Sequence, residues 1–162
     1  MADIKQAFGA EQTLVVTALQ SLASSATAGW QSVVVDNSSD KFLDVMVYFV
    51  LDFANTAPAN SKGVYVFAYS GIGSSYTNPV SGSEGTITLP DVTANPLSLR
   101  QIGFIPYVTQ DEVVESAHFS IALAFGGMVP QKWGVVLMNH SGAALAASAN
   151  TAKYYGVYAT SV

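Results

Sequence analysis

The stretch that decides the fold is DVMVYFVLDF, Asp44 to Phe53. Val45, Val47, Phe49, Leu51 and Phe53 fall on one face of an extended chain, and Asp44, Met46, Tyr48, Val50 and Asp52 on the other. Successive side chains of a strand point to opposite faces, so this period-two run of β-branched and aromatic residues predicts a half-buried strand. The same reading extends outward. In GVYVFAYS (63–70) Tyr65, Phe67 and Tyr69 alternate with Val64, Val66 and Ala68, so both faces are expected to be covered. SAHFSIALAF (116–125) sets Phe119, Ile121, Leu123 and Phe125 against Ser116, His118, Ser120, Ala122 and Ala124.

Strands are expected near 12–18, 30–36, 43–53, 63–70, 84–90, 100–108, 116–125, 132–139 and 153–161. Segments rich in Gly, Pro, Asn, Asp and Ser, such as DNSSDK and NTAPANSKG, separate them. GAALAASANTA is expected to be an irregular or extended link, since Gly, Ser and Asn oppose its alanines. Alternating strands favour an antiparallel arrangement over a parallel one. The chain therefore reads as all-β, an antiparallel β-sandwich of jelly-roll type with about 8 strands. Residues 1–11 are expected to form an extended N-terminal arm outside a single sandwich domain of residues 12–162. On that arm Ile4 and Phe8 are apolar handles flanking Lys5.

The 162 residues suffice to bury a core without disulfides or metals, and there is no cysteine. The N-terminus lacks the apolar core of a signal peptide, and the most apolar run, Val45 to Leu51, is too short to span a bilayer as a helix. A net charge of −5 and six dispersed basic residues argue against nucleic acid as a partner. Charged residues make up only 10% of the chain, against about 25% in an average soluble domain. A surface so poor in charge suits coverage by neighbours, and the chain is expected to be an assembly subunit, a dimer or trimer.

Two histidines are the candidates for chemistry. His140, in VVLMNHSGAA, stands where an apolar strand runs into an Asn-His-Ser-Gly turn and is expected at a hairpin corner. His118 shares a strand face with Ser116 and Ser120, next to Glu115. However, i and i±2 neighbours on a strand lie about 7 Å apart, too far for a nucleophile–base hydrogen bond. Asp36, Asp40 and Asp44 lack the EF-hand spacing and its glycine; they and Asp111, Glu112 and Glu115 read as solvated acidic loops, with a loop calcium site as the alternative. No catalytic residue, cofactor or metal ligand is assigned. Trp30 and Trp133 read as core residues, while Tyr154 and Tyr158 share a face of the last strand and form a candidate stripe. Ile4, Lys5, Phe8, Tyr154 and Tyr158 are the expected partner-interface residues.

Three phrases, AFGGMVPQKWGVVLMNHSGAALAASANTAKYYGVYATSV, SVVVDNSSDKFLDVMVYFVL and GVYVFAYSG, resemble a group of small structural proteins of tailed bacteriophages. The likeness covers most of the chain after about residue 12. Cement or decoration proteins of such phages can be jelly rolls that sit on the outside of the capsid and tie neighbouring capsomers together. The resemblance implies a virion location on the capsid exterior, the major capsid protein as partner, and no catalytic residue. A carbohydrate-binding module of a phage fibre or tail is the alternative, and a hydrolase built on His118 the third reading.

Overall fold

A computed structural model describes residues 3–59, 62–89 and 99–161. The described chain is nearly all β, in two antiparallel sheets. Sheet I contains β1 (Ile4–Phe8), β13 (Thr151–Ser161), β5 (Asp44–Asp52) and β10 (Val113–Glu115), in that order. β2 (Gln12–Thr13) also pairs with β13, and β11 (Phe119–Ser120) with β5. Sheet II runs β7 (Ser75–Tyr76), β6 (Gly63–Ile72), β12 (Lys132–Asn139), β3 (Ala28–Gln31), β8 (Gly85–Thr88). There β9 (Arg100–Pro106) pairs with β6, and β4 (Val35–Asp36) with β12. The chain passes between sheets on leaving β2, β4, β5, β9, β11 and β12, which makes a sandwich rather than a meander.

The alternation of β5 is realised in full: Val45, Val47, Phe49, Leu51 and Phe53 are 0–1% exposed, and the intervening residues are half-buried. Burying each such side chain contributes about 1.5–3 kcal/mol, and a one-residue slip would turn all five to solvent. They pack against Trp30, Val66, Trp133, Val135 and Leu137 of sheet II. Sheet II is covered on its other face too, where Phe67, Tyr69, Val136, Met138, Leu89 and Leu99 form a second cluster. This is why β12 is apolar almost throughout and why GVYVFAYS shows no polar face.

Three expectations need correction. Of 12–18 only Gln12–Thr13 is strand; Thr17–Leu19 forms a 3-10 turn, and Leu14, Leu19 and Leu22 bury into the core. Glu84 fixes this turn, its Oε1 accepting from Ala18 N (2.7 Å) and Trp30 Nε1 (2.7 Å). Of 116–125 only Phe119–Ser120 is strand, followed by the single-turn helix α1 (Ile121–Ala124). Ser120 Oγ accepts from Leu123 N, and Asp44 Oδ1 accepts from Ala122 N (2.9 Å), so two side chains cap the turn. Residues 4–8 are extended as expected, but they do not stand outside the sandwich: all five pair with β13, from Ile4 opposite Ser161 to Phe8 opposite Val157.

Candidate interaction surface

The outer face of sheet I carries the side chains that alternate with the core set. Register places Tyr155 of β13 opposite Met46 of β5, Lys153 opposite Tyr48, and Val157 opposite both Asp44 and, on β1, Phe8. His118, in the link between β10 and β11, lies over this face. The rings form a chain: Phe8 to Tyr155 at 5.9 Å, Tyr155 to His118 at 5.7 Å, and His118 to Tyr48 at 4.9 Å. Phe8 is 62% exposed and Ile4, on the same face two residues beyond Gln6, is 79% exposed.

Glu11 closes one side of this strip. Its carboxylate accepts from Lys153 Nζ (2.7 Å) and from the Tyr48 hydroxyl. The Lys153 ammonium, followed by the Tyr48 hydroxyl, holds the Glu11 carboxyl below its ordinary range; Glu11 in turn raises both Lys153 and Tyr48. Two shallow depressions border β1. One of about 350 Å³ is lined by Ile4, Lys5, Gln6, Leu43, Val157 and Tyr158, among others; the second, about 340 Å³, lies between Phe8, Gly9, Glu11 and Tyr155.

The five expected interface residues divide. Ile4, Lys5 and Phe8 are exposed along β1, and Tyr158 borders the same groove as Ile4 and Lys5. Tyr154 is half-buried and turned toward the core. It shares the inward face of β13 with Ala152, packs against the core and meets Trp133 edge-to-face at 5.2 Å, and burial raises its phenol. Tyr154 and Tyr158 do share a face, but it is the inner one, and the stripe breaks at Gly156, over which the Phe42 ring lies. Tyr155, Tyr48 and His118 are the ring-bearing surface that the sequence reading missed. The signal was present: Lys153 shares a face with Tyr155, and a lysine marks the side that meets water.

The histidines find other company than a triad. Ser116 Oγ donates to Ala117 O (2.7 Å) and accepts from Phe49 N, while Ser120 Oγ donates to Asp44 Oδ2 (2.7 Å). Both hydroxyls are thus engaged in fixing β5 to its neighbours. His140 sits in a turn, but not a hairpin, because β12 belongs to sheet II and β13 to sheet I. The polar group that matters there is Asn139. Fully buried, its Nδ2 donates to Leu22 O (3.0 Å) and Ala143 O (2.7 Å), and its Oδ1 accepts from Ser141 N (3.1 Å). Among the described residues no group of three or more His, Asp or Glu side chains is arranged to hold a metal ion, and no helix is long and apolar enough to cross a membrane. Asp36 and Asp44 serve instead as acceptors for backbone amides, at Ser38 and at Val45 and Ala122.

Comparison with protein-family models, with curated proteins and with solved structures returns no match.

Proposed function

We propose that this chain is a virion structural protein that binds the outside of a capsid shell and cements neighbouring capsomers, with the major capsid protein as its partner. The observation that carries the reading is the strip Ile4–Phe8–Tyr155–His118–Tyr48, a run of apolar and aromatic side chains, exposed at Ile4, Phe8 and His118 and half-buried at Tyr155 and Tyr48, on one face of a charge-poor sandwich. Aromatic side chains bring large contact area at low entropic cost and are enriched where interfaces concentrate their energy. Repetition over a shell makes modest contacts sufficient, since each further contact is made at high effective concentration. The resemblance of the chain's phrases to small phage structural proteins points the same way. The reading requires no catalytic group.

A carbohydrate-binding module of a fibre or tail is the second reading. The feature that favours it is the Glu11–Lys153 pair beside half-buried Tyr48 and exposed His118, which offers a sugar both a stacking surface and charged hydrogen-bonding groups.

The test is add-back of purified chain to particles from which it has been stripped, with bound copies counted by mass spectrometry. Phe8→Ser and Tyr155→Ser are expected to cut occupancy about tenfold or more, equivalent to about 1.4 kcal/mol. Ile72→Ser, at an exposed site on sheet II, is expected to leave it unchanged. Equal occupancy for all three variants would remove the strip from the mechanism. Glycan binding that the same two substitutions abolish, with shell occupancy intact, would favour the carbohydrate reading.

A further inference from the structure

We infer that two copies of this chain associate through β1, edge to edge about a two-fold axis at Gln6, joining their two copies of sheet I into one continuous sheet. The inference shares Ile4 and Phe8 with the capsid reading, but it is argued from the main chain of β1 and its test, the oligomeric state of the purified chain, does not depend on that reading. It begins from the phase of the β1–β13 ladder. Gly9 N donates to Gly156 O at 2.8 Å, and these residues continue the register that pairs Phe8 with Val157. In an antiparallel ladder, residues that exchange hydrogen bonds with one neighbour alternate with residues whose N–H and C=O point away from it. Gly9, Ala7 and Lys5 therefore bond to β13, and the amides and carbonyls of Ile4, Gln6 and Phe8 point outward. Among the described residues no strand pairs with that outer edge.

The outward set is self-complementary. An antiparallel copy centred on Gln6 sets Gln6 against the partner subunit's Gln6 and Ile4 against the partner subunit's Phe8, with the reciprocal pair completing the two-fold. All three positions present free donors and acceptors, so six main-chain hydrogen bonds form without moving the strand. Ile4 and Phe8, 79% and 62% exposed, cover one another on the outer face. Lys5 faces the partner subunit's Ala7 and not a second lysine. Shifting the axis to Lys5 opposes like charges, and shifting it to Ala7 sets Phe8 against the partner subunit's Gln6; centring on Gln6 satisfies both charge and apolar matching. One lysine and no proline guard this edge, and the two-fold contact uses it up on both copies, so the assembly closes as a dimer. Across the axis the two aromatic strips meet, Phe8 of each copy beside the partner subunit's Ile4.

Sedimentation velocity of the purified chain over a wide concentration range tests this. The wild type is expected to shift from monomer to dimer with rising concentration, because a five-residue edge is a small contact. Gln6→Pro removes the central outward N–H but no bond to β13, and is expected to be monomeric at every concentration with the wild-type melting temperature. A second readout uses the absence of cysteine from the chain. Gln6→Cys is expected to cross-link to dimer with a short bis-maleimide, whereas Leu123→Cys, exposed on α1, is expected to give none. A wild type monomeric throughout, a Gln6→Pro variant still dimeric, or equal cross-linking at both sites would overturn the inference.

Discussion

Replacing Asn139 is expected to damage this protein far more than replacing the neighbouring His140. The Asn139→Ala variant loses two donors and one acceptor in a fully buried corner, but the consequences are unequal. Leu22 O keeps a bond from Leu145 N (3.0 Å), and Ala143 O keeps one from Ser141 Oγ (2.9 Å). Only Ser141 N, on a residue with no exposed surface, is left without a partner. The Ser141 hydroxyl, which also donates to Asn139 Oδ1 (2.6 Å), keeps Ala143 O as acceptor, so three other lost bonds at about 1 kcal/mol each, with an orphaned amide adding about 1–3 kcal/mol, give a loss of about 4–6 kcal/mol. That is a large part of a typical domain stability of about 5–15 kcal/mol. His140 is half-buried, its ring 6.3 Å from that of Tyr65, and its bond to Gly63 O comes from the backbone, which any residue but proline supplies. His140→Ala is expected to cost about 0.5 kcal/mol, as at an ordinary surface site. Guanidinium unfolding followed through the buried Trp30 and Trp133 measures both. Asn139→Asp, which cannot donate to the two carbonyls, should be at least as harmful as the alanine. If Asn139→Ala unfolds at the wild-type midpoint, or if His140→Ala is the more damaging, the reasoning fails.

Other outcomes follow from single contacts. A Cβ at Gly134 falls 2.3–2.4 Å from Tyr69 ring atoms, and that ring is tied by its hydroxyl to Ser32 O (2.9 Å). Gly134→Ala is therefore expected to cost about 1–3 kcal/mol in denaturant unfolding, and much less in a Tyr69→Ala background, where the clash is gone. Burial pushes the Tyr69 phenol up to about 12 from the ordinary 10. Its contribution is complete below pH 10 and is lost as pH rises to about 12, because the unfolded chain releases this proton first. The loss is about 3 kcal/mol, and Tyr69→Phe should flatten that limb of the stability–pH curve. Glu11, held low by Lys153 and Tyr48, contributes above the ordinary 4.5 and loses its effect as pH falls through its lowered value. An NMR titration should place its midpoint under 4.5 and return it toward 4.5 in Lys153→Met; a wild-type midpoint at 4.5 would contradict the ion pair.

The fold was legible in the sequence where a strand has one wet face and one dry face. β5 shows this cleanly, since solvent and core select different residues at alternate positions. β12 and β6 were legible for another reason: covered on both faces, they keep β-branched and aromatic residues throughout. The misread elements depend on partners distant in sequence. α1 forms because Asp44, 78 residues away, accepts from Ala122 N, and no local pattern announces that. The pairing of β1 with β13 joins the two ends of the chain, and five residues of mixed polarity do not specify it. The interaction strip gathers side chains from β1, β5, β13 and the β10–β11 link. Shared faces on β13 are readable, but which face points inward depends on how β5 pairs with it, and nothing local to AKYYGVYAT separates Tyr154, turned toward the core, from Tyr155 on the outer face.

The central claim is that this chain is a component of a virus shell, and the direct test is its abundance in particles. Intact particles sedimented from the source lysate would be washed and the chain quantified against the major shell protein by mass spectrometry. The account requires near-stoichiometric recovery with the shell. A few copies per particle would assign the chain to a fibre or tail, and absence from washed particles would contradict the account outright.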